Sequence, residues 1–272
     1  MSRTETDPGL SRVLEYIADN MAFEPDSYNE SYLDRRISAR MRRTDCEGYR
    51  EYLGVLSAEA DERAALLDAL SVNVTSFFRN PSVWERLRDV LADLTASGGT
   101  VNCWSAACAD GREPYSIAML ARDDPDIRDR SVSITATDID AETLSEARNA
   151  VYESTRTTDI GEQLEPLSDP EAHVDIDREA GSFTVRDPVK RMVSFEQHDL
   201  ISGPSKGGYD LVLCRNLLIY IDSSYKDPIF ETLTGALDDG GFLTIGKSET
   251  LPRSFRDAYE AYDRSQHIYR RD

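Results

Sequence analysis

The sequence changes character at Ser97-Gly98-Gly99. Before that point every apolar pattern has the period of a helix, and after it strand-like runs alternate with helical ones. Upstream, Leu10, Val13, Leu14 and Ile17 recur at helical spacing, followed by helical stretches at Tyr32–Arg43, Tyr49–Leu56 and Ala58–Ser71. Downstream, the spacing predicts strands at Thr100–Trp104, Ser131–Thr137, Met192–Gln197, Tyr209–Cys214, Gly241–Ile245 and Gln266–Arg270. Helices are predicted at Glu113–Arg122, Ala141–Val151 and Ser224–Leu237. Strands alternating with helices make a mostly parallel sheet covered on both faces. One segment breaks the alternation. His173–Asp177 and Ser182–Arg186 alternate with period two around Arg178–Gly181, which reads as a small antiparallel hairpin or an extended loop.

Charge excludes several partner classes. Lys+Arg 31 against Asp+Glu 51 leaves a net charge of −20, which repels nucleic acid and anionic lipid. Asp accounts for 30 of the acidic residues and Lys for only 4 of the basic ones, a balance suited to concentrated salt, where screening removes most self-repulsion. A halophilic host is therefore the expectation, with an ordinary acidic cytosolic protein as the alternative. Cys46, Cys103, Cys108 and Cys214 form no C-x-x-C pair and the three histidines are scattered, so neither a metal site nor a disulfide framework is expected. No stretch approaches the roughly 20 apolar residues of a membrane helix, and Met1–Leu10 has no apolar leader core. A cytoplasmic monomer is the expectation.

In open α/β sheets the ligand lies beyond the carboxyl ends of the strands. The loop Ser105–Gly111 is crowded with small residues that let backbone approach a ligand. It lacks G-x-G-x-x-G, which disfavours a dinucleotide. Glu113, before Pro114, stands at the mouth of the next helix, where the helix dipole favours it and a cationic ligand would suit it. Asp138 ends the second strand, where a carboxylate accepts two ribose hydroxyls at once. Asp140 reads as the cap of the following helix. Together these point to an adenosyl ligand without a phosphate, S-adenosylmethionine. Asn216, at the carboxyl end of an apolar strand, is a ligand contact by position or a turn former.

These residues fall into ordered blocks: Asn73-x-Thr75-x-Phe77-Phe78-Arg79, Glu113-Pro114-Tyr115-Ser116, Thr137-Asp138-Ile139-Asp140, Cys214-Arg215-Asn216 with Ile219-Tyr220, and Gly246-x-Ser248-Glu249. In that order they resemble the chemotaxis receptor methyltransferases of the CheR family, over nearly the whole chain. The resemblance implies an α/β fold: an all-helical N-terminal domain, then a Rossmann-like methyltransferase domain. The latter has a mostly parallel seven-stranded sheet, an antiparallel last strand and a small antiparallel β insertion. The implied boundaries are 1–71 for the helical domain, 72–89 for a linker contributing to the cofactor site, and 90–272 for the methyltransferase domain, with the insertion at about 172–191. The implied activity is methyl transfer from S-adenosylmethionine to glutamates of methyl-accepting chemotaxis receptors, leaving S-adenosylhomocysteine.

Carried over by position, Asn73, Thr75, Arg79, Glu113, Asp138 and Asn216 would contact the cofactor, with Leu217 beside the adenine. Asp199-Leu200 stands where the family usually has Asn-Leu, keeping an acceptor and losing an amide donor. Arg112-Glu113 replaces a usual acidic pair, so only Glu113 is carried over. In relatives the insertion can grip a receptor tail peptide through a longer, Gly-rich loop, and no such tethering is expected here.

Methylating a carboxylate needs no general base, because the acceptor is already ionised at neutral pH. What remains is in-line positioning. Arg79 and Tyr220 are the candidates for orienting the acceptor, Tyr220 being equally readable as a core aromatic. Arg35, Arg36, Arg40, Arg42 and Arg43 are five arginines in nine residues of an acidic protein. Leu33, Ile37 and Met41 make that helix's apolar stripe. Arg36, Arg40 and Arg43 form a rail beside it, with Arg35 and Arg42 opposite. Such a rail suits glutamate-bearing receptor helices; local pairing with the protein's own carboxylates is the alternative. Two other functions remain open: a small-molecule methyltransferase, which would want an apolar lid, and a non-enzymatic S-adenosylmethionine sensor, which would need neither Arg79 nor Tyr220.

Overall fold

The computed structural model describes residues 7–21, 23, 25–70, 75–155 and 158–272. The chain divides into two units, one running to Asn73 and taking in Leu218–Lys226, the other formed by Val74–Leu217 and Asp227–Asp272.

The first unit is helical: α1 (Pro8–Asn20), α2 (Glu30–Arg43), α3 (Tyr49–Ala58) and α4 (Ala60–Leu70). Helix α1 starts where Asp7 accepts the Gly9 N–H at 2.6 Å, with Pro8 supplying a preset φ just inside the helix. The anticipated stripe of α2 is buried as Leu33, Ile37 and Met41, joined by Tyr32. It packs with Leu10, Val13 and Ile17 of α1, Tyr52 and Leu56 of α3, and Leu66 and Leu70 of α4 into one apolar cluster. The segment Leu218–Lys226 enters this unit by backbone pairing. The Asn29 N–H donates to Tyr220 O at 2.8 Å, and the Asp222 N–H donates to Ser27 O at 3.0 Å.

The second unit holds α5 (Pro81–Ala96), β1 (Val101–Ala106), α6 (Arg112–Asp123), β2 (Val132–Asp138), α7 (Ala141–Asn149) and β3 (Val151–Glu153). There follow α8 (Ile160–Gln163), β4 (Val174–Asp177), β5 (Ser182–Val185), α9 (Asp187–Lys190), β6 (Val193–Gln197) and β7 (Tyr209–Cys214). Helix α10 (Ser223–Ala236) leads to β8 (Leu237–Ile245), β9 (Tyr259–Asp263) and β10 (Ile268–Arg271). The large sheet has seven strands in the order β6-β2-β1-β7-β8-β10-β9. Pairings from β6 through β8 are parallel, while β10 is antiparallel to both of its neighbours. The last strand of the chain therefore runs against the other six, as the resemblance implies. Helix α6 is buried continuously from Pro114 to Ala121, which fits a helix apolar on every side against the sheet.

Two elements depart from the sequence pattern. Val151 belongs to a strand and not to the preceding helix. Ala150 at φ +55° ends α7, and Val151 then pairs with Thr184. This third strand turns the expected hairpin into a sheet of order β3-β5-β4. Strand β9 carries no separate signal in the sequence and is formed by pairing Ala261 with Tyr269 and Glu260 with Arg270.

Candidate active site

Five parallel strands end on one side of the sheet, in register. Ala106 lies opposite Thr137, Asp138 opposite Gln197, Ser105 opposite Leu213 and Cys214 opposite Ile245. The strand order reverses between β1 and β7, the place where ligands bind in open α/β sheets.

The loop after β1 turns sharply through left-handed residues, Ala107 at φ +62°, Ala109 at +48° and Gly111 at +88°. For an alanine that conformation costs about 1 kcal/mol. Gly111 admits no side chain, because a Cβ would lie 2.9 Å from that of Ala147. The loop is pinned from β2: the Ala109 N–H donates to Asp138 Oδ2 at 2.8 Å, and the Asp140 N–H to Asp138 Oδ1 at 3.1 Å. Burial pushes the Asp138 carboxyl above its ordinary range, against the pull of these amides. Asp140 caps α7, accepting from the Glu142 and Thr143 N–H groups.

Glu113 sits in the first turn of α6. Its Oε1 accepts from Ser105 Oγ at 2.9 Å, and Oε2 faces Arg215 Nη1 at 3.3 Å. Burial raises its pKa, against the positive charge of Arg215 and, further off, of Arg79. Arg215 is itself sealed in, with 1% of its side chain exposed. Its Nη2 donates to Arg79 O at 2.8 Å and to Asn80 Oδ1 at 3.1 Å, and its guanidinium lies 5.7 Å from the Trp84 ring centre. Arg215 thus ties Glu113 to the segment Thr75–Asn80, and burial holds its pKa below the ordinary arginine value.

Asn216, next along the chain, is left-handed at φ +65°. Its N–H donates to Glu249 Oε2 at 3.1 Å, and the Gly246 N–H donates to the same oxygen. A Cβ on Gly246 would stand 2.6 Å from that oxygen and 2.9 Å from Asn216 N, so only glycine fits. Buried Glu249 therefore locks the loops after β7 and β8 together.

The remaining expected site residues are placed as follows. Thr75 O accepts from Arg112 Nη1 at 2.9 Å. Arg79 O accepts from Trp84 Nε1 at 3.0 Å as well as from Arg215. Asp199 holds its own turn, with Oδ1 accepting the Ile201 N–H at 2.8 Å and Oδ2 taking the Ser202 hydroxyl. Leu200 is buried, and its carbonyl accepts from Thr232. Leu217 is half-buried beside Asn216. Asn73 lies outside the described residues. Tyr220 belongs to the helical unit, its ring 4.7 Å from that of Tyr32. On α2, Arg35, Arg42 and Arg43 are exposed and Arg36 lies 5.3 Å over the Tyr32 ring. Arg40 turns inward to buried Glu62 with Nε at 3.0 Å, so its charge is spent within the helical unit and not on a free rail.

Arg215, Glu249 and Ser105 lie within the motif blocks and the small-residue loop, but their pairing shows only in three dimensions. A sequence signal for the pairing is the arginine directly after four apolar residues, Leu211–Cys214, a position where a charge needs a buried partner.

The donor set fits S-adenosylmethionine. A half-buried carboxylate at a helix mouth can take an ammonium, a second at the tip of β2 still has lone pairs for hydroxyls, and exposed Ile139 beside it offers an apolar surface to a base. Comparison with known families agrees. Residues 73–268 match the family described as CheR methyltransferase, SAM binding domain, and residues 8–71 match CheR methyltransferase, all-alpha domain. A probable chemotaxis protein methyltransferase of Rhizobium etli is 37% identical over 79% of this chain and 82% of its own. A chemotaxis protein methyltransferase of Listeria monocytogenes is 31% identical over 82% of this chain and 83% of its own. One from Vibrio cholerae is 29% identical over 91% and 87%. With two carboxylates suited to an adenosyl cation, the matches across both units lead to one assignment: the chain belongs to the CheR family of S-adenosylmethionine-dependent methyltransferases.

Proposed function

We propose that this protein transfers a methyl group from S-adenosylmethionine to glutamate side chains of methyl-accepting chemotaxis receptors, acting as a protein-glutamate O-methyltransferase in the cytoplasm at receptor arrays. The observation that carries the reading is the pair of half-buried Glu113 with buried Arg215 beside the strand reversal, in a chain whose relatives are named chemotaxis protein methyltransferases. In this reading Glu113 takes the cofactor's ammonium, Asp138 its ribose hydroxyls, and Asn216, Leu217, Thr75, Asp199, Leu200 and Asn73 line the rest. The cofactor supplies a methyl on a sulfonium, an electrophile that needs no acid catalyst. Arg79 and Tyr220 orient the acceptor, whose charge disappears on reaction and so should not be held too tightly.

The exposed arginines of α2 are the proposed docking face for acidic receptor helices, with Arg36 at its edge. Incubation with labelled S-adenosylmethionine and receptor-bearing membranes should give base-labile label on the receptor, the mark of a carboxyl ester. Reversing Arg42 and Arg43 to Glu should weaken receptor binding about tenfold at low salt, and less at high salt as screening takes over, with cofactor affinity unchanged. Alkali-stable label would refute the glutamyl ester, and undiminished binding of the reversed variant would refute the docking face. The Asp-rich, Lys-poor surface fits a salt-rich cytoplasm; a melting midpoint that falls on adding molar KCl would contradict that inference.

The raised pKa of Glu113 sets the pH dependence of cofactor binding. A bound ammonium favours ionised Glu113, so binding in acid must first release a proton. Affinity should be flat near neutrality and fall by up to about tenfold per pH unit once the pH drops below the folded-state pKa, which lies above the ordinary 4.5. Calorimetry in buffers of different ionisation enthalpy would detect that proton. Glu113→Gln should abolish the acid limb.

A further inference from the structure

Arg112 opens α6 one residue before Glu113, and three segments converge on its guanidinium. Its Nη1 donates to Thr75 O at 2.9 Å, its Nε lies 3.3 Å from Asp110 Oδ2, and its guanidinium carbon stands 5.1 Å from the Tyr152 ring centre. Tyr152 is the buried middle residue of β3, in the small sheet. Its hydroxyl donates to Asp110 O at 2.7 Å, and its ring meets Phe77 edge-on at 4.9 Å. At the end of α8, between β3 and β4, Gln163 Oε1 accepts the Phe77 N–H at 2.9 Å. Thr75–Phe77, the loop around Asp110 and the base of the small sheet are thus joined through one planar cation. No single neutral side chain reaches a carbonyl, a carboxylate and an aromatic face together.

Neighbouring links show what this staple controls. The loop that holds Asp110 also carries Ala109, whose N–H engages Asp138. The segment that begins at Thr75 ends at Arg79 and Asn80, which accept from Arg215 and so reach Glu113. We propose that Arg112 is a positioning residue for cofactor binding: it fixes the Thr75–Asn80 segment against the Asp110 loop, and through Tyr152 it makes the small antiparallel sheet part of the cofactor site's framework. This rests on the proposed reading that those segments contact the cofactor. A corollary follows from linkage. A partner that shifts the small sheet changes cofactor affinity, and bound cofactor changes that partner's affinity by the same factor.

The test is titration calorimetry of the full chain with S-adenosylhomocysteine, alongside urea unfolding. Arg112→Met should raise Kd about tenfold or more, the effect of losing one charge-assisted hydrogen bond. Arg112→Lys should recover only part, because an ammonium cannot serve all three partners. Tyr152→Phe, which removes only the hydroxyl, should raise Kd by several fold, and its effect should not multiply with that of Arg112→Met because the two act through one network. In methyl-transfer assays the KM for cofactor should rise in parallel with Kd while kcat changes less than about twofold, a split that general destabilisation would not produce. A Kd within twofold of the parent for Arg112→Met overturns the proposal, whatever the urea midpoint. If that variant does not fold, Arg112→Lys and Tyr152→Phe both binding like the parent overturn it instead. Glu113→Gln and Asp138→Ala run beside them. If these also bind normally, the cofactor site itself is misassigned and the role of Arg112 falls with it. If they weaken binding while the Arg112 variants do not, only the positioning role is lost.

Discussion

Replacing Arg215 by methionine should abolish measurable cofactor binding and cost about 3–5 kcal/mol of stability, the range for removing one partner of a buried ion pair. The side chain is almost wholly enclosed, and its donors serve Glu113 Oε2, Arg79 O and Asn80 Oδ1. Methionine is of similar size but takes this donor from Glu113 Oε2 and Asn80 Oδ1 and leaves Arg79 O with the Trp84 indole N–H alone. Glu113, already pushed up by burial, would lose the charge that most favours its ionised form, and its pKa would rise further towards the neutral acid. A neutral carboxyl is a poor partner for a cationic ligand. Two measurements separate the effects: urea unfolding reports the structural loss, and calorimetry reports binding. Adding Glu113→Gln to Arg215→Met should restore part of the stability, because the uncompensated carboxylate is gone, and none of the binding. An Arg215→Met protein that binds S-adenosylhomocysteine within threefold of the parent would disprove the role assigned to the pair.

Arg40→Met should unfold the helical unit at markedly lower denaturant, again by about 3–5 kcal/mol, because Glu62 is buried with Arg40 as its cation. Tyr52 Oη completes the network, donating to Glu62 Oε1 at 2.7 Å. Burial opposes ionisation of Glu62, but the hydrogen bonds from Arg40 and Tyr52 outweigh it and hold the pKa below 4.5. A lowered carboxylate pKa contributes stability above the unfolded value, so this contribution is intact above about pH 4.5 and fades as the pH falls through the folded value. Arg42→Met, on an exposed neighbour, should change stability by no more than about 0.5 kcal/mol. Far-ultraviolet circular dichroism in urea would compare them. Equal midpoints for the two variants would show that the Arg40–Glu62 pair does not stabilise the unit. The contrast also decides how docking is tested, since a binding defect in an Arg40 variant would confuse lost folding with lost charge.

Much of the framework can be read along the chain because its signals are local. Asp138 ends an apolar, β-branched run and Asp140 opens a helical one, so strand tip and cap fall within three residues of each other. The buried stripe of α2 follows from spacing alone, as does the alternation that makes a parallel sheet. Val151 marks where local signals stop being enough. Its neighbours continue a helical pattern, yet a left-handed Ala150 and a partner 33 positions on, Thr184, make it a strand.

The arginines show the same division more sharply. A helical wheel places Arg36, Arg40 and Arg43 together, and nothing within α2 distinguishes them. Glu62, on a different helix, takes one and leaves the others outside. Arg215 reads as one letter of a block until packing brings Glu113, Arg79 and Asn80 to it from more than a hundred residues away. By itself, then, the sequence determined the helical and sheet regions, the strand ends that bear the carboxylates and the family. Only the tertiary structure decided which charges are buried, what pairs with them and that the small sheet meets Thr75 and the Asp110 loop through Arg112. Periodicity and capping act over one or two turns of chain. The cost of burying a charge without a partner is met by whatever the fold brings close, however distant in sequence.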